Sequence, residues 1–296
     1  MLSILIPVYN TNVTKLVNSL YKQCSSQKMA FEILVFDDCS EAKYKEKNKS
    51  LASLFGVNYL ELKENLGRAK IRNWLVKSAR YEHVLFLDSD SKLIGRSFIK
   101  SYMEHFGKAD AIVGGRIYTK KQPKAKSKYL HWLYGTKKES KKAKVRNRDS
   151  ANYFHTNNFL ARRAILDQVK FNEEIQGYGY EDLAFGHIIT TCEMSILHID
   201  NPVIHTGLET NKIFLEKAEN AIRNLIEYEY QGIIVDTRLQ RYVGYLKRMG
   251  IEPQVYQFLS KRADKYKEKL LNNEGKLWQL ALWKMWLYQS ELRVVE

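Results

Sequence analysis

Short apolar runs rich in β-branched residues alternate with helix-length segments in the first third of the chain, and no other feature narrows the possible folds as much. The runs are Leu2 to Val8, Phe31 to Phe36, Val57 to Leu62, Val84 to Leu87 and Ala111 to Val113. Between the first two, Val13, Leu16, Val17, Leu20 and Tyr21 recur at helical spacing within Val13 to Gln27,. A strand that is apolar throughout must be covered on both sides, so this succession closes as a parallel sheet flanked by helices. The class is α/β: a Rossmann-like, mostly parallel mixed sheet with flanking helices and a helical C-terminal extension. Ligands of such sheets bind beyond the carboxyl ends of the strands. Polar groups stand there in this chain: Tyr9-Asn10, Asp37-Asp38, Glu64-Asn65 and Asp88-Ser89-Asp90.

Farther along, Tyr153 to Leu160 has strand character and Arg162 to Val169 helical character, and Glu181 to Thr191 follows the glycine-aromatic turn Gly177-Tyr178-Gly179-Tyr180. Ile196 to Ile199 and Val203 to His205 read as short strands around Pro202. The pattern is then helical: Phe214, Ala218, Ala221, Ile222 and Leu225 form one stripe, a second set runs from Gln254 through Leu271, and Leu277 to Leu287 is apolar almost all round,. The expected division is a sheet domain over 1–210 and a helical extension over 211–296.

Charge is unevenly placed. The chain carries 48 Lys and Arg against 33 Asp and Glu, a net +15, and Thr119 to Arg148 alone holds twelve Lys or Arg and one acid, Glu139. That segment reads as a basic mobile loop facing an anionic ligand, with the cluster Tyr129-Leu130-His131-Trp132-Leu133-Tyr134 ordering part of it. The near-neutral remainder lacks the basic face of a dedicated nucleic-acid binder, so no nucleic-acid partner is expected. Cys24, Cys39 and Cys192 are odd in number and far apart, which argues against a disulfide framework or a thiolate zinc site and for a reducing compartment,. The first residues lack a signal peptide's pattern, and no apolar stretch reaches the roughly 18–20 residues of a membrane span. A cytoplasmic protein is expected, with peripheral contact at the inner face of the membrane or a homodimer formed through the Trp-rich last helix.

Asp88 and Asp90 directly follow an apolar strand. Alternate residues of an extended segment point the same way, so both carboxylates can approach one divalent cation, and hard oxygen ligands suit Mg²⁺ or Mn²⁺. Turn formation and capping explain most Asp-x-Asp pairs, so the pair alone decides little.

Taken together, Ile6-Pro7-Val8-Tyr9-Asn10, Asp37-Asp38-x-Ser40, Asn65-x-Gly67 with Arg72-Asn73, Asp88-x-Asp90 and Gly179-x-Glu181-Asp182 resemble family 2 glycosyltransferases of the GT-A fold, over about residues 1–210. The resemblance implies a metal-dependent, inverting transfer of a sugar from a UDP-sugar to a hydroxyl of a glycan or lipid-linked glycan. It implies that Pro7, Tyr9, Asp37, Asp38, Asn65, Gly67, Arg72, Asp88, Ser89 and Asn157 contact the donor, with Tyr9 stacking on the base and Asp38 accepting from its ring N–H. Asp88, Asp90 and His205 would hold Mn²⁺ or Mg²⁺, Asp182 would be the base, and Glu181 an acceptor or structural ligand. Two departures stand out: Cys39 where the family often has glycine, and Gly186-His187-Ile188 where it often carries an arginine. A sugar-phosphate nucleotidyltransferase is the alternative enzyme, although Pro7-Val8-Tyr9-Asn10-Thr11 lacks a glycine-rich triphosphate loop. A non-enzymatic polyanion binder using the basic loop is the alternative of another class.

Overall fold

Period-two alternation in the first strand sets the layers. In β1 (Leu2–Val8), Leu2, Ile4, Ile6 and Val8 join one buried cluster and Leu5 joins another, so both faces of the sheet are covered,. The computed structural model describes residues 1–174, 179–233 and 235–295. Further strands are β2 (Phe31–Asp37), β3 (Val57–Glu61), β4 (His83–Leu87), β5 (Ser91–Lys92), β6 (Ala111–Val113), β7 (Arg116–Ile117), β8 (Asn158–Arg162), β9 (Ile196–His198) and β10 (Val203–His205). Seven form one sheet in the order β3-β2-β1-β4-β8-β6-β9, and β5-β10-β7 form a second, three-stranded one. Pairing is parallel from β3 through β2 and β1 to β4, antiparallel on both sides of β8, and parallel again between β6 and β9.

One face packs on Leu16, Val17, Leu20 and Cys24 of the helix Thr14–Ser25, the other on Ile71, Leu75 and Val76 of the helix Arg68–Ser78 together with Phe154, Phe159 and Phe185. Burial raises the Cys24 thiol's pKa to about 12, which leaves it an inert core residue,. The first apolar runs fall on strands as expected. The stretch Tyr153 to Leu160 does not: the strand begins only at Asn158, since Asn152 and Tyr153 sit in turns.

By contact the chain divides into two units, Met1–Tyr118, Ser140–Glu174 and Phe185–Gly207 in the first, and Thr119–Glu139, Ile175–Ala184 and Leu208–Glu296 in the second. All ten strands lie in the first. The second is helical, with a core of Leu130, Leu215, Ile222, Leu225, Val243, Leu270, Leu280, Trp283 and Leu287. Its last helix, Leu277–Val295, directs Leu280, Trp283, Leu287 and Tyr288 into that core. The set from Gln254 to Leu271 is two helices, Glu252–Ser260 and Ala263–Leu271, rather than one.

The basic segment folds differently from a mobile loop. It contains the helices Tyr129–Tyr134 and Ala143–Arg146. In the second unit, buried Leu130, His131 and Trp132 pin its aromatic part: the Trp132 indole N–H donates to Thr119 O at 2.8 Å, and Leu130 N donates to Asn211 Oδ1 at 3.0 Å. Like charges repel along the run, but the aromatic cluster supplies enough buried surface to order it. Gly177 and Tyr178 of the glycine-aromatic turn lie outside the described residues.

Candidate active site

The nucleotide-side loops are tied together by backbone donors. At the end of β2, buried Asp37 accepts from Ser40 N at 2.7 Å and from the Tyr59 hydroxyl at 3.3 Å. Asp38 accepts from Leu66 N at 2.7 Å and Gly67 N at 3.1 Å, which holds the Asn65–Gly67 loop against the strand end. Asn65 Nδ2 adds a bond to Asp38 O. Gly67 caps the following helix with φ +83°, a conformation that favours glycine,. Burial raises the Asp38 carboxyl's pKa, opposed by the two backbone N–H groups,. Each Asp38 oxygen retains a second acceptor position, so a base N–H remains a compatible partner. From β1, Pro7 is partly buried and the Tyr9 ring is 55% exposed, free to stack. Asn10 cross-ties the loops: its N–H donates to Ser40 Oγ, and its side chain accepts from Glu41 N.

Cys39 takes φ +63°, the left-handed region where glycine is relieved of the side-chain penalty. An L side chain costs roughly 1–2 kcal/mol there, and glycine returns about half as backbone entropy of the unfolded chain. Cys39→Gly is therefore expected to raise unfolding stability by about 0.5–1 kcal/mol, read from the urea midpoint at constant slope.

At the end of β4 the two aspartates part company. The Asp88 carboxylate pairs with Arg72 at 2.8 Å and lies 4.0 Å from Arg68. Arg72 is nearly buried, with its guanidinium over the Phe171 ring at 5.7 Å, so it fixes Asp88 from behind. Asp90 turns instead to His205, with Oδ1 3.2 Å from Nδ1. Burial acts to raise its pKa, but His205, Arg116 and Arg68 carry it below the ordinary carboxylate value. The β5–β10 pairing, His205 opposite Ser91, sets this meeting, and Thr206 donates twice to Asp90 O. A Cβ on Gly207 would stand 2.2 Å from Asp90 Oδ2, so the carboxylate rests in a cradle that only glycine leaves open. Partly buried Ser89 lies between the two aspartates.

Among the described residues no three or more His, Cys, Asp or Glu side chains gather as a metal-holding group. Asp90 and His205 are brought together, whereas the Asp88 carboxylate is directed to arginines. An oxygen and nitrogen donor pair beside the Gly207 cradle nonetheless suits a divalent cation of the Mn²⁺ type.

The two consecutive asparagines have opposite functions. Asn158 is structural: its amide donates to Gly115 O and Asn201 O and accepts from the Tyr102 hydroxyl at 2.7 Å. Asn157 is as deeply buried, yet neither of its amide atoms has a hydrogen-bond partner, and its carbonyl accepts from Asp88 N. A buried, unpartnered amide next to Asp88 is the kind of group a ligand satisfies. Beneath this strand end lies buried Arg146, missed in the sequence because it sits in the lysine-rich run. It donates to Lys141 O, Val113 O, Gly114 O, Ile199 O and, at 2.6 Å, His198 Nδ1. A guanidinium only donates, so His198 carries its proton on Nε2 and gives it to Ser150 O; burial lowers its pKa to about 4,.

In the second unit, Glu181 and Asp182 open the helix Glu181–Thr191. Glu181 Oε2 accepts from Gly179 N at 2.7 Å, an N-terminal capping contact,. A Cβ on Gly179 would come 2.2 Å from Ala221 Cβ, which explains the glycine of this motif. Burial, then the charges of Glu181 and Asp182, push the Tyr228 hydroxyl's pKa upward. His187, at the position where an arginine was expected, belongs with Asn152 to the first unit and lies 3.3 Å from that residue's Oδ1.

The model of glycosyl transferase family 2 matches residues 3–170, more than half the chain. The chain belongs to this family. Its fold is GT-A. A stretch of 91 residues, 30% of this chain, is 37% identical to poly(ribitol-phosphate) β-N-acetylglucosaminyltransferase TarS of Staphylococcus aureus and spans 16% of that protein. Over 125 residues it is 30% identical to the uncharacterized glycosyltransferase YfnE of Bacillus subtilis, 40% of this chain and 31% of the relative. The chain thus spans well under half of the curated relatives it matches. The fold of S. aureus TarS crystallised with UDP-GlcNAc is similar, with TM-score 0.52, 17% identity, and coverage of 99% of this chain and 92% of that one. So is that of a mannosyltransferase from Pyrobaculum calidifontis in complex with GDP-Man and Mn²⁺, with TM-score 0.61, 13% identity, and coverage of 98% and 86%.

Proposed function

We propose that the protein moves a sugar, with inversion and with help from a divalent metal, from a UDP-sugar to a hydroxyl of a glycan or lipid-linked glycan. One observation carries this reading: Asp90 and His205 meet in the Gly207 cradle at the same sheet end that bears exposed Tyr9, Asp38 and the unpartnered Asn157. Solved relatives of this fold hold UDP-GlcNAc or GDP-Man with Mn²⁺, which supports a nucleotide-sugar donor and a metal. Family membership weighs against the nucleotidyltransferase and the polyanion-binding alternatives.

In this reading Tyr9 stacks on the base, and Asp38 holds the Asn65–Gly67 loop while accepting from the base N–H. Arg72 orients Asp88 toward the ribose, and the Asn157 amide takes a donor hydroxyl. Asp90 and His205 would hold the cation, which when bound would supply Lewis-acid stabilisation of the departing diphosphate. The acceptor oxygen forms its bond to the anomeric carbon as the bond from that carbon to the diphosphate oxygen breaks. The electron pair leaves with UDP, and the acceptor's proton passes to Asp182.

The test is a panel of UDP- and GDP-sugars assayed for Mn²⁺-dependent hydrolysis and for a rise in melting temperature. At a donor concentration about 100 times Kd, the stabilisation is about 2.7 kcal/mol. UDP-sugars are expected to give both effects, and Asp90→Ala to lose both. Absence of any nucleotide effect, or an unaltered response in Asp90→Ala, overturns the reading.

A further inference from the structure

The last helix buries Trp283 but leaves Trp278 54% exposed, and a further exposed apolar row of the helical unit lies on another helix. In the helix Arg238–Arg248, Val243 lies in the core with Leu239 packed against it, and Leu246 is half-buried. A flanking stripe, about a quarter-turn round the helix, carries Tyr242, Tyr245 and Met249, which are 66%, 56% and 52% exposed,. Positions three and four apart on a helix share a face, so these three and Arg238 form one row, with Arg241 and Arg248 beside it. The helix ends in a tight cap: Gly250 at φ +71° lets Ile251 N donate to Leu246 O, and Ile251 follows it exposed,.

Charge on this stretch has one sign. From Arg238 to Arg262 there are six Lys or Arg and a single acid, Glu252. Glu252 is buried and bound by Arg293 through both oxygens, and by Gln289, so it does not offset the surface charge. Asp236, just outside, pairs with Arg241 at 3.3 Å. A second copy of the chain would bring an equally basic face against this one, which disfavours self-association. An anionic bilayer supplies the opposite charge, and tyrosine rings with a polar tip suit the headgroup depth.

We propose that the face of Arg238, Tyr242, Tyr245, Arg248, Met249 and Ile251 docks on an anionic lipid surface. This inference stands apart from the transferase reading, and vesicle binding is measured without substrate. The full chain is floated with vesicles of equal parts phosphatidylglycerol and phosphatidylcholine, and with vesicles of phosphatidylcholine alone. Binding is expected only to the anionic vesicles and is expected to weaken with salt. Arg238→Gln with Arg248→Gln should lower vesicle affinity about 30-fold, since each basic residue near an anionic surface contributes about fivefold. Tyr242→Ser, Tyr245→Ser and Met249→Ser together should abolish it while leaving donor hydrolysis and the melting temperature near those of the parent. No binding by the parent, equal binding to neutral vesicles, or binding unchanged in both variants overturns the proposal. A dimer that the triple serine variant dissociates, without vesicle binding, overturns it in favour of a second copy as the occupant.

Discussion

Arg146→Ala is expected to lose about 4 kcal/mol of unfolding stability, which would show as a large fall in the urea midpoint. Natural domains of this size retain only about 5–15 kcal/mol in total, so a loss of that size approaches the unfolding threshold. What stays behind sets the cost. Gly114 O, Ile199 O, His198 Nδ1 and part-buried Lys141 O would lose the donor that the guanidinium supplies, while Val113 O keeps Ile199 N. An unmade bond at a buried acceptor costs about 1–3 kcal/mol, more than an intact bond contributes net. Arg146→Lys should recover little, because an ammonium is a compact point donor and cannot span acceptors arranged around a planar fork. A loss under about 1 kcal/mol in Arg146→Ala would show that water takes over these carbonyls and that the knot is dispensable.

Asp182→Asn is expected to cut kcat of sugar transfer about 10²–10⁴-fold while leaving UDP-induced stabilisation at the parent value. Asparagine keeps the size and much of the polarity of the side chain but cannot take the acceptor's proton. Glu181→Gln should behave differently, because the amide oxygen can still accept from Gly179 N and preserve the cap. Its effect should therefore be at most a few-fold. Equal losses in the two variants would assign the motif to helix capping and remove Asp182 from the role of base.

Most strands of the large sheet were legible because they are short apolar runs bounded by polar residues, and β1, β6, β10 and the helix Glu181–Thr191 fall where the sequence pattern puts them. The two-residue strands β5 and β7 were not, since Ser91-Lys92 and Arg116-Ile117 carry no pattern and exist only through partners on β10. Charge counting misread Thr119 to Arg148 because it weighs Arg146 like its lysine neighbours, although Arg146 is a buried donor hub. At the site, Asp90 and His205 were foreseen together and do meet. The attachment of Asp88 to Arg72 was not foreseen, nor was the contrast between Asn157 and Asn158. Both depend on which neighbour a side chain reaches, and adjacency in the chain does not encode that. Gly207 was overlooked for the same reason: only the packed Asp90 carboxylate reveals why a side chain is excluded.

The reciprocal tie between Asn10, Ser40 and Glu41 N also bears on how such chains diverge. Neither strand-end loop can gain or lose a residue alone without leaving the other's donor or acceptor unmatched. Each side chain bonds a backbone N–H of the other loop, so positions 10 and 40 can change independently as long as each keeps an acceptor, whereas insertions in this half of the protein should collect outside those two loops.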